Sequence, residues 1–279
     1  MKKRYIILIP LTSIALLMTF WAPIWIDRSF REASSAAPMF FDKCRKAWAH
    51  RGFVGKGREN TVGSVRRAIE RGATGVEVDI LYDVETGRFM VSHNRPYQQT
   101  DGNILTLDQL FSRIEADTYY WLDAKDLSDL WPWQAKGAVK RLTMILEKHG
   151  LKERALVESR SPFYLAWLAD HGIHTSYMVS PNEADYSAPI FWGNIYFMKL
   201  AYTLGPFSAL SMNDDRYTRS VEQAFGSEVP ILVSTVNNRS DFEYFAENPR
   251  IKIVLSDRNF YSFNNCKSPR ETQAPSVQL

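Results

Sequence analysis

Cysteine is scarce here: Cys44 and Cys266 are the only two in 279 residues, which leaves room for one disulfide at most. An excess of charge of one sign is nearly absent, with 34 Lys and Arg against 31 Asp and Glu. The formal excess is +3, with no basic stripe, and this excludes nucleic acid as the expected partner. No glycine-rich phosphate loop follows the first strand-like run, which counts against a dinucleotide-binding sheet. Internal repeats and low-complexity tracts are also missing. What the chain does have is apolar mass, 45% hydrophobic and 13% aromatic residues, enough for a large folded domain with a buried core.

The start of the chain is different in kind. Lys2, Lys3 and Arg4 precede a run from Tyr5 to Ile26 that carries no charge. Its length suits a bilayer-spanning helix, and basic residues on its N-terminal side place the remainder outside the cytoplasm, periplasmic or extracellular. A single uncleaved transmembrane anchor is therefore expected, with a cleaved signal peptide and a secreted domain as the alternative. The division that follows is 1–28 anchor or signal, 29–43 linker, 44–267 folded domain and 268–279 tail. In an exported protein two cysteines at the edges of the domain invite a Cys44–Cys266 bond; two unpaired thiols are the other possibility.

From Lys46 onward short apolar runs alternate with helical patterns. Eight strands are expected at 46–50, 74–81, 119–125, 154–159, 174–179, 208–212, 230–236 and 251–255, with an extra short strand at 88–92. Helical segments are expected at 61–71, 107–116, 132–149, 162–171, 190–202, 218–225 and 240–247, and the last strand is followed by 259–264. Eight such repeats in this length predict an α/β fold, a closed (β/α)₈ TIM barrel preceded by the N-terminal transmembrane helix.

The chemistry concentrates between Trp48 and Asn94. Glu77 and Asp79 alternate with Val76, Val78 and Ile80, so one face of this strand carries both carboxylates while the other is apolar. In a parallel sheet an inward acidic pair is costly unless it binds a cation, and this points to a metal site. His50, Arg51, Glu77, Asp79, Asp123 and Lys125 all fall at strand C-terminal ends, the face on which barrel chemistry sits. Glu158 also ends a strand, where it can approach the metal or pair with Arg160 at the surface. Trp131 and Trp133 follow the third strand as an aromatic lip or as ordinary packing. His149, His171 and His174 read as structural.

At His50-Arg51-Gly52, Glu59-Asn60-Thr61, Glu77-x-Asp79, His93 and Asp123-x-Lys125 the sequence resembles the glycerophosphodiester phosphodiesterase family. Thr235-Val236-Asn237 and Leu255-Ser256-Asp257 resemble its closing strands. The resemblance implies a TIM barrel and metal-dependent cleavage of glycerophosphodiesters or lysophospholipids to an alcohol and glycerol phosphate. It implies Glu77, Asp79 and Asp123 as ligands of Mg²⁺ or Ca²⁺, His50 and His93 as the acid–base pair, Arg51 and Lys125 as phosphate holders, and Glu59 and Asn60 as supporting groups near Arg51. Its expected partners are a small-molecule or lipid phosphodiester and, through the N-terminal helix, a membrane. Departures are Asp123 for the usual Glu, Asn94 for an Asp and Ser234 for a Trp. A phospholipase D-like lyase that makes a cyclic phosphate, or a silent phosphodiester-binding barrel, would use the same scaffold.

Overall fold

In the computed structural model the described residues are 21–35, 46–53, 58–100, 102–114 and 117–264. A helix over 21–35 (α1) comes first. The strands are β1 (Ala47–Ala49), β2 (Gly75–Asp83), β3 (Arg88–Val91), β4 (Gln99–Thr100), β5 (Asn103–Ile104), β6 (Tyr119–Ala124), β7 (Ala155–Ser159), β8 (His174–Met178), β9 (Ala209–Asn213), β10 (Ile231–Ser234) and β11 (Ile251–Ser256). Between them lie α2 (Val62–Glu70), α3 (Leu107–Arg113), α4 (Pro132–Lys148), α5 (Pro162–Asp170), α6 (Ala188–Tyr202), α7 (Arg219–Phe225) and α8 (Arg239–Glu247).

Eight of the strands pair in parallel, in the order β1, β2, β6, β7, β8, β9, β10, β11, and β11 returns to β1. The sheet closes on itself, so the expected barrel is what forms. β3 extends β2 in antiparallel fashion, as the 88–92 run foretold. The β4–β5 hairpin was not foreseen, because two-residue strands carry no readable period. Helix limits follow local chemistry. Thr61 and Thr106 cap α2 and α3 through reciprocal bonds with Ser64 and Gln109, and Pro132 opens α4.

Strand alternation sorts the apolar residues into two bodies. Val76, Val78, Ile80, Leu122 and Val157 face the helices. Trp48, Trp121, Leu156, Ala209, Leu232, Ile253 and Leu255 fill the barrel interior. Gly75 belongs to the interior: a Cβ there would lie 2.2 Å from the Trp48 indole. The apolar plug sits below the strand ends and closes the floor under the polar groups.

Two expectations change. The segment after β11 forms a 3₁₀ turn, Tyr261–Asn264, whose Asn264 side chain accepts from Ala47 N and donates to Ala47 O, so among the described residues this turn, with no eighth outer helix, fastens the chain to β1. Residues 29–35, read as linker, continue α1 and lie against the barrel. Phe30 is buried against Tyr202 and Phe225, and Asp27 pairs with Lys199 at 2.6 Å. Residues 1–20, Cys44, Cys266 and the 268–279 tail lie outside the described residues. Among those described, no helix is long and apolar enough to cross a membrane.

Candidate active site

Register brings the acidic residues together. Asp79 of β2 lies opposite Asp123 of β6, which lies opposite Glu158 of β7. Glu77 sits one interior step below Asp79. Glu77, Asp79 and Asp123 each offer an oxygen within 4.8 Å of the others. Oxygens sharing one Mg²⁺ or Ca²⁺ at ~2.0–2.6 Å are at most about 5 Å apart, so this donor set fits a hard divalent cation.

The loop from β1 to α2 wraps this group. Arg51 and Gly52 both have positive φ, +51° and +76°. The turn aims the Arg51 amide at Glu77 Oε2, 2.8 Å away. Its carbonyl accepts from Asn60 N and from Ser64 Oγ, at 3.0 and 3.1 Å. Only glycine fits next, since a Cβ at Gly52 would lie 2.5 Å from Ser64 Oγ.

The Glu59-Asn60-Thr61 motif divides its labour. Glu59 receives Arg51 Nη1 at 3.0 Å. Asn60, itself at φ +52°, donates to Asp79 Oδ2 at 2.7 Å and accepts from Asp79 N at 3.0 Å. Thr61 caps α2. Asn60 was expected near Arg51; its backbone is, but its side chain orients Asp79.

Two cations neutralise part of the cluster. Arg51 Nε lies 3.0 Å from Asp79 Oδ2. Lys125 Nζ bridges Asp123 at 2.5 Å and Asp79 at 3.2 Å. Burial alone would lower the Lys125 pKa, but Asp123 and Asp79 hold it above its ordinary value. The carboxylates remain uneasy. Burial pushes Glu77 well above the usual range, and the charges of Asp79 and Asp123 push it further. Burial also raises Asp123, against the pull of Lys125. Glu158, buried and facing Asp123, is pushed up to about 8. It does not reach the surface to pair with Arg160, because its strand position turns it into the barrel.

The two histidines address different members of the cluster. His50 Nε2 lies 3.9 Å from Glu77 Oε2. His93, half-buried at the end of β3, lies close enough to Asp123 to lower its pKa. The turn that carries His93 is held by Ser92 Oγ, which donates to Asn94 O and accepts from Gln98 N, while Gln98 Nε2 bonds Glu59 O at 2.8 Å. The backbone of Asn94, not its side chain, serves in this turn. Arg95 and buried Asp126 pair at 2.7 Å and tie the same turn to the loop after β6.

Asp257 is the residue sequence reasoning missed. His50 Nδ1 is 2.7 Å from Asp257 Oδ1, and Asn237 Nδ2 donates to Asp257 Oδ2 at 2.7 Å. The bond from His50 holds the Asp257 carboxyl below its ordinary range, against burial. The signal was present, since Asp257 directly follows the last strand, but an imidazole partner 207 positions away leaves no local trace. The other histidines are structural, as expected. His149 meets Asp108, His171 meets Trp167 O, and His174 lies buried beside Ser208.

Residues 50–115 match the model of the glycerophosphoryl diester phosphodiesterase family. No curated protein sequence matches the chain. The fold is similar to a glycerophosphodiester phosphodiesterase from Parabacteroides distasonis, with 18% identity, 76% of this chain and 92% of that chain covered, and a TM-score of 0.59. It is similar to one from Thermotoga maritima at 20% identity, 76% and 94% coverage and a TM-score of 0.57. It is also similar to an Oleispira antarctica phosphodiesterase in complex with the product sn-glycerol-3-phosphate, at 20% identity, 81% and 95% coverage and a TM-score of 0.58. The chain thus resembles this family both in its motif-bearing stretch and in its fold.

Proposed function

We propose that the chain is a metal-dependent phosphodiesterase that hydrolyses glycerophosphodiesters or lysophospholipids to an alcohol and glycerol phosphate. The observation that carries this is the meeting of Glu77, Asp79 and Asp123 at one cation-sized spot, flanked by Arg51, Lys125 and His50. Phosphodiesters are anionic, and their leaving group is a poor alkoxide. Glu77, Asp79 and Asp123 would hold Mg²⁺ or Ca²⁺, which when bound neutralises phosphate charge and sharpens an attacking oxygen.

The remaining work belongs to the chain's own side chains. Arg51 offers a forked pair of donors and Lys125 a point charge, both suited to phosphate oxygens. His50, with Nδ1 engaged by Asp257, has Nε2 left for the proton of the incoming nucleophile. His93, on the Asp123 side, would protonate the departing oxygen. A positioned acid or base of this kind contributes ~10²–10⁴-fold in rate.

The membrane belongs to the same reading. Lys2, Lys3, Arg4 and the uncharged run to Ile26 support a single-pass anchor with the barrel outside the cytoplasm. Protease added to cells whose outer envelope is opened but whose inner membrane is intact would digest the barrel; protection there would remove this assignment.

A panel of glycerophosphodiesters and lysophospholipids, assayed with Mg²⁺, Ca²⁺ and EDTA, tests the activity. Chelator-sensitive release of linear glycerol phosphate is expected. A cyclic product would make the chain a lyase, and no turnover of any member would overturn the enzymatic reading.

A further inference from the structure

The helix α1 runs in the same direction as α6. Asp27 meets Lys199, and three residues later in both helices Phe30 meets Tyr202. Because α6 leaves the C-terminal end of β8, its first turn lies on the catalytic face. The described part of α1 therefore has its N-terminal end toward that face, with Trp21 level with Gly193 of α6 by the same offset, and the uncharged residues 21–26 lie on that side of Asp27.

Several exposed large apolar side chains stand at the same end, while Phe197, Leu200 and Leu204 stand toward the other end of α6. Trp131 and Trp133, at the start of α4, are 64% and 67% exposed and stack on each other with centroids 5.2 Å apart and planes 7° from parallel. Phe163, at the start of α5, is 63% exposed; Ile190, at the start of α6, is 55% exposed. Trp21 and Trp25 of α1 are 65% and 58% exposed. The helices α4, α5 and α6 are consecutive crossovers of one closed barrel, so their first turns form one arc of the rim, with α1 beside α6. Single exposed apolar residues need no explanation, but a contiguous arc marks a surface that meets another phase or partner.

We propose that this arc docks the catalytic face onto a lipid bilayer. Tryptophan favours the headgroup level, where its ring is buried and its N–H stays wet. The occupant is a bilayer because the arc ends beside α1, whose exposed Trp21 and Trp25 belong to the uncharged N-terminal run. Any membrane holding that run holds this end of the barrel against itself. Resting on the phosphodiesterase reading, the consequence is that a lipid phosphodiester reaches Glu77, Asp79 and Asp123 from the bilayer surface without crossing bulk water.

The test uses the full chain in phosphatidylcholine nanodiscs, with hydroxyl-radical footprinting read residue by residue. Tyr244 of α8 and Met144 near the far end of α4 are 56% and 49% exposed and serve as references. After correction for intrinsic reactivity, Trp131, Trp133 and Phe163 should be modified several-fold less than the references in discs holding one chain. Equal modification overturns the proposal. So does protection confined to discs holding two chains, which assigns the arc to a second copy, and so does failure of the chain to associate with the discs. A second arm compares two substrates. Trp131→Ser with Trp133→Ser should lower turnover of vesicle-embedded lysophosphatidylcholine by about tenfold, the loss expected for part of the apolar burial of two such rings, and leave soluble glycerophosphocholine turnover unchanged. An equal fall on both substrates would assign the pair to the site itself and overturn the docking. A wild-type chain inactive on both substrates would overturn the phosphodiesterase reading alone, and the footprint would still decide the docking.

Discussion

Replacing Asp257 by Asn should slow the enzyme without unfolding it. Asp257 is held below the ordinary carboxylate range by its bond to His50, so it is ionised at neutral pH and can only accept. His50 Nδ1 therefore carries the proton of their 2.7 Å contact, and Nε2 is the nitrogen available on the side of Glu77. An Asn of the same shape offers a neutral oxygen, or an NH₂ that enforces the other tautomer. A hydrogen bond to a charged group contributes ~1.5–3 kcal/mol. At about 1.4 kcal/mol per decade the loss is roughly 10- to 150-fold in kcat/KM. The fall should lie in kcat, with KM little changed, because Asp257 is not among the groups facing the phosphate. Steady-state kinetics on a soluble glycerophosphodiester, with a melting curve to show the fold intact, decides the matter. A D257N enzyme with wild-type kcat would refute both the tautomer assignment and the role of His50 as base.

Three other perturbations read out the loop and the acidic cluster. Gly52→Ala places a methyl against Ser64 in a backbone of φ +76°, and should cost about 1–3 kcal/mol of stability in a melting experiment; an unchanged midpoint would mean the Arg51 turn is not under this constraint. Asn60→Ala leaves the buried Asp79 amide without its acceptor, at about 1–3 kcal/mol, and leaves Asp79 Oδ2 with Arg51 alone, so it should lower both the melting temperature and Mg²⁺ affinity by calorimetry. The chelated protein should lose stability as pH rises. Glu77, Asp123 and Glu158 all have folded pKa values above their unfolded ones, so the folded state binds more protons between about 4.5 and the Glu158 value of about 8, and ΔG of unfolding falls across that window. Added Mg²⁺ or Ca²⁺ should raise the midpoint most at the high-pH end; a flat profile, or no effect of the cation, would argue against the metal assignment.

What was legible in the sequence is what depends on period and local caps. The alternation around Glu77 and Asp79 assigned their face, and the strand–helix rhythm named the barrel. Threonine, proline and glycine signals located the helix ends to within a few residues. Contacts between distant segments were not legible. Asp257 meets His50 because β11 pairs with β1, and Glu158 turns toward Asp123 because β7 is in register with β6. Both facts belong to closure of the sheet. The α1 segment was misjudged for a related reason. Its charged residues, Asp27, Arg28, Arg31 and Glu32, read as the end of an apolar run and the start of a linker. In the fold they lie on a helix whose Phe30 is buried, with Asp27 satisfied by Lys199 of α6.

Placing several acids at one level inside a barrel works against folding, and the raised carboxyl pKa values express that cost. The barrel tolerates it because the layers are separated. Below the acids, Trp48 and Trp121 fill the interior so fully that Gly75 must lack a side chain, and this apolar floor supplies burial energy that the acidic layer cannot. Above it, each acid already has polar partners from loops: the Arg51 amide for Glu77, Asn60 for Asp79, Lys125 for Asp123. Those partners share the acids' charge without removing it, since two cationic side chains face Glu77, Asp79, Asp123 and a largely protonated Glu158 at neutral pH. A divalent cation bound there would offset the remaining negative charge and leave Lys125 and Arg51 available for an incoming phosphate.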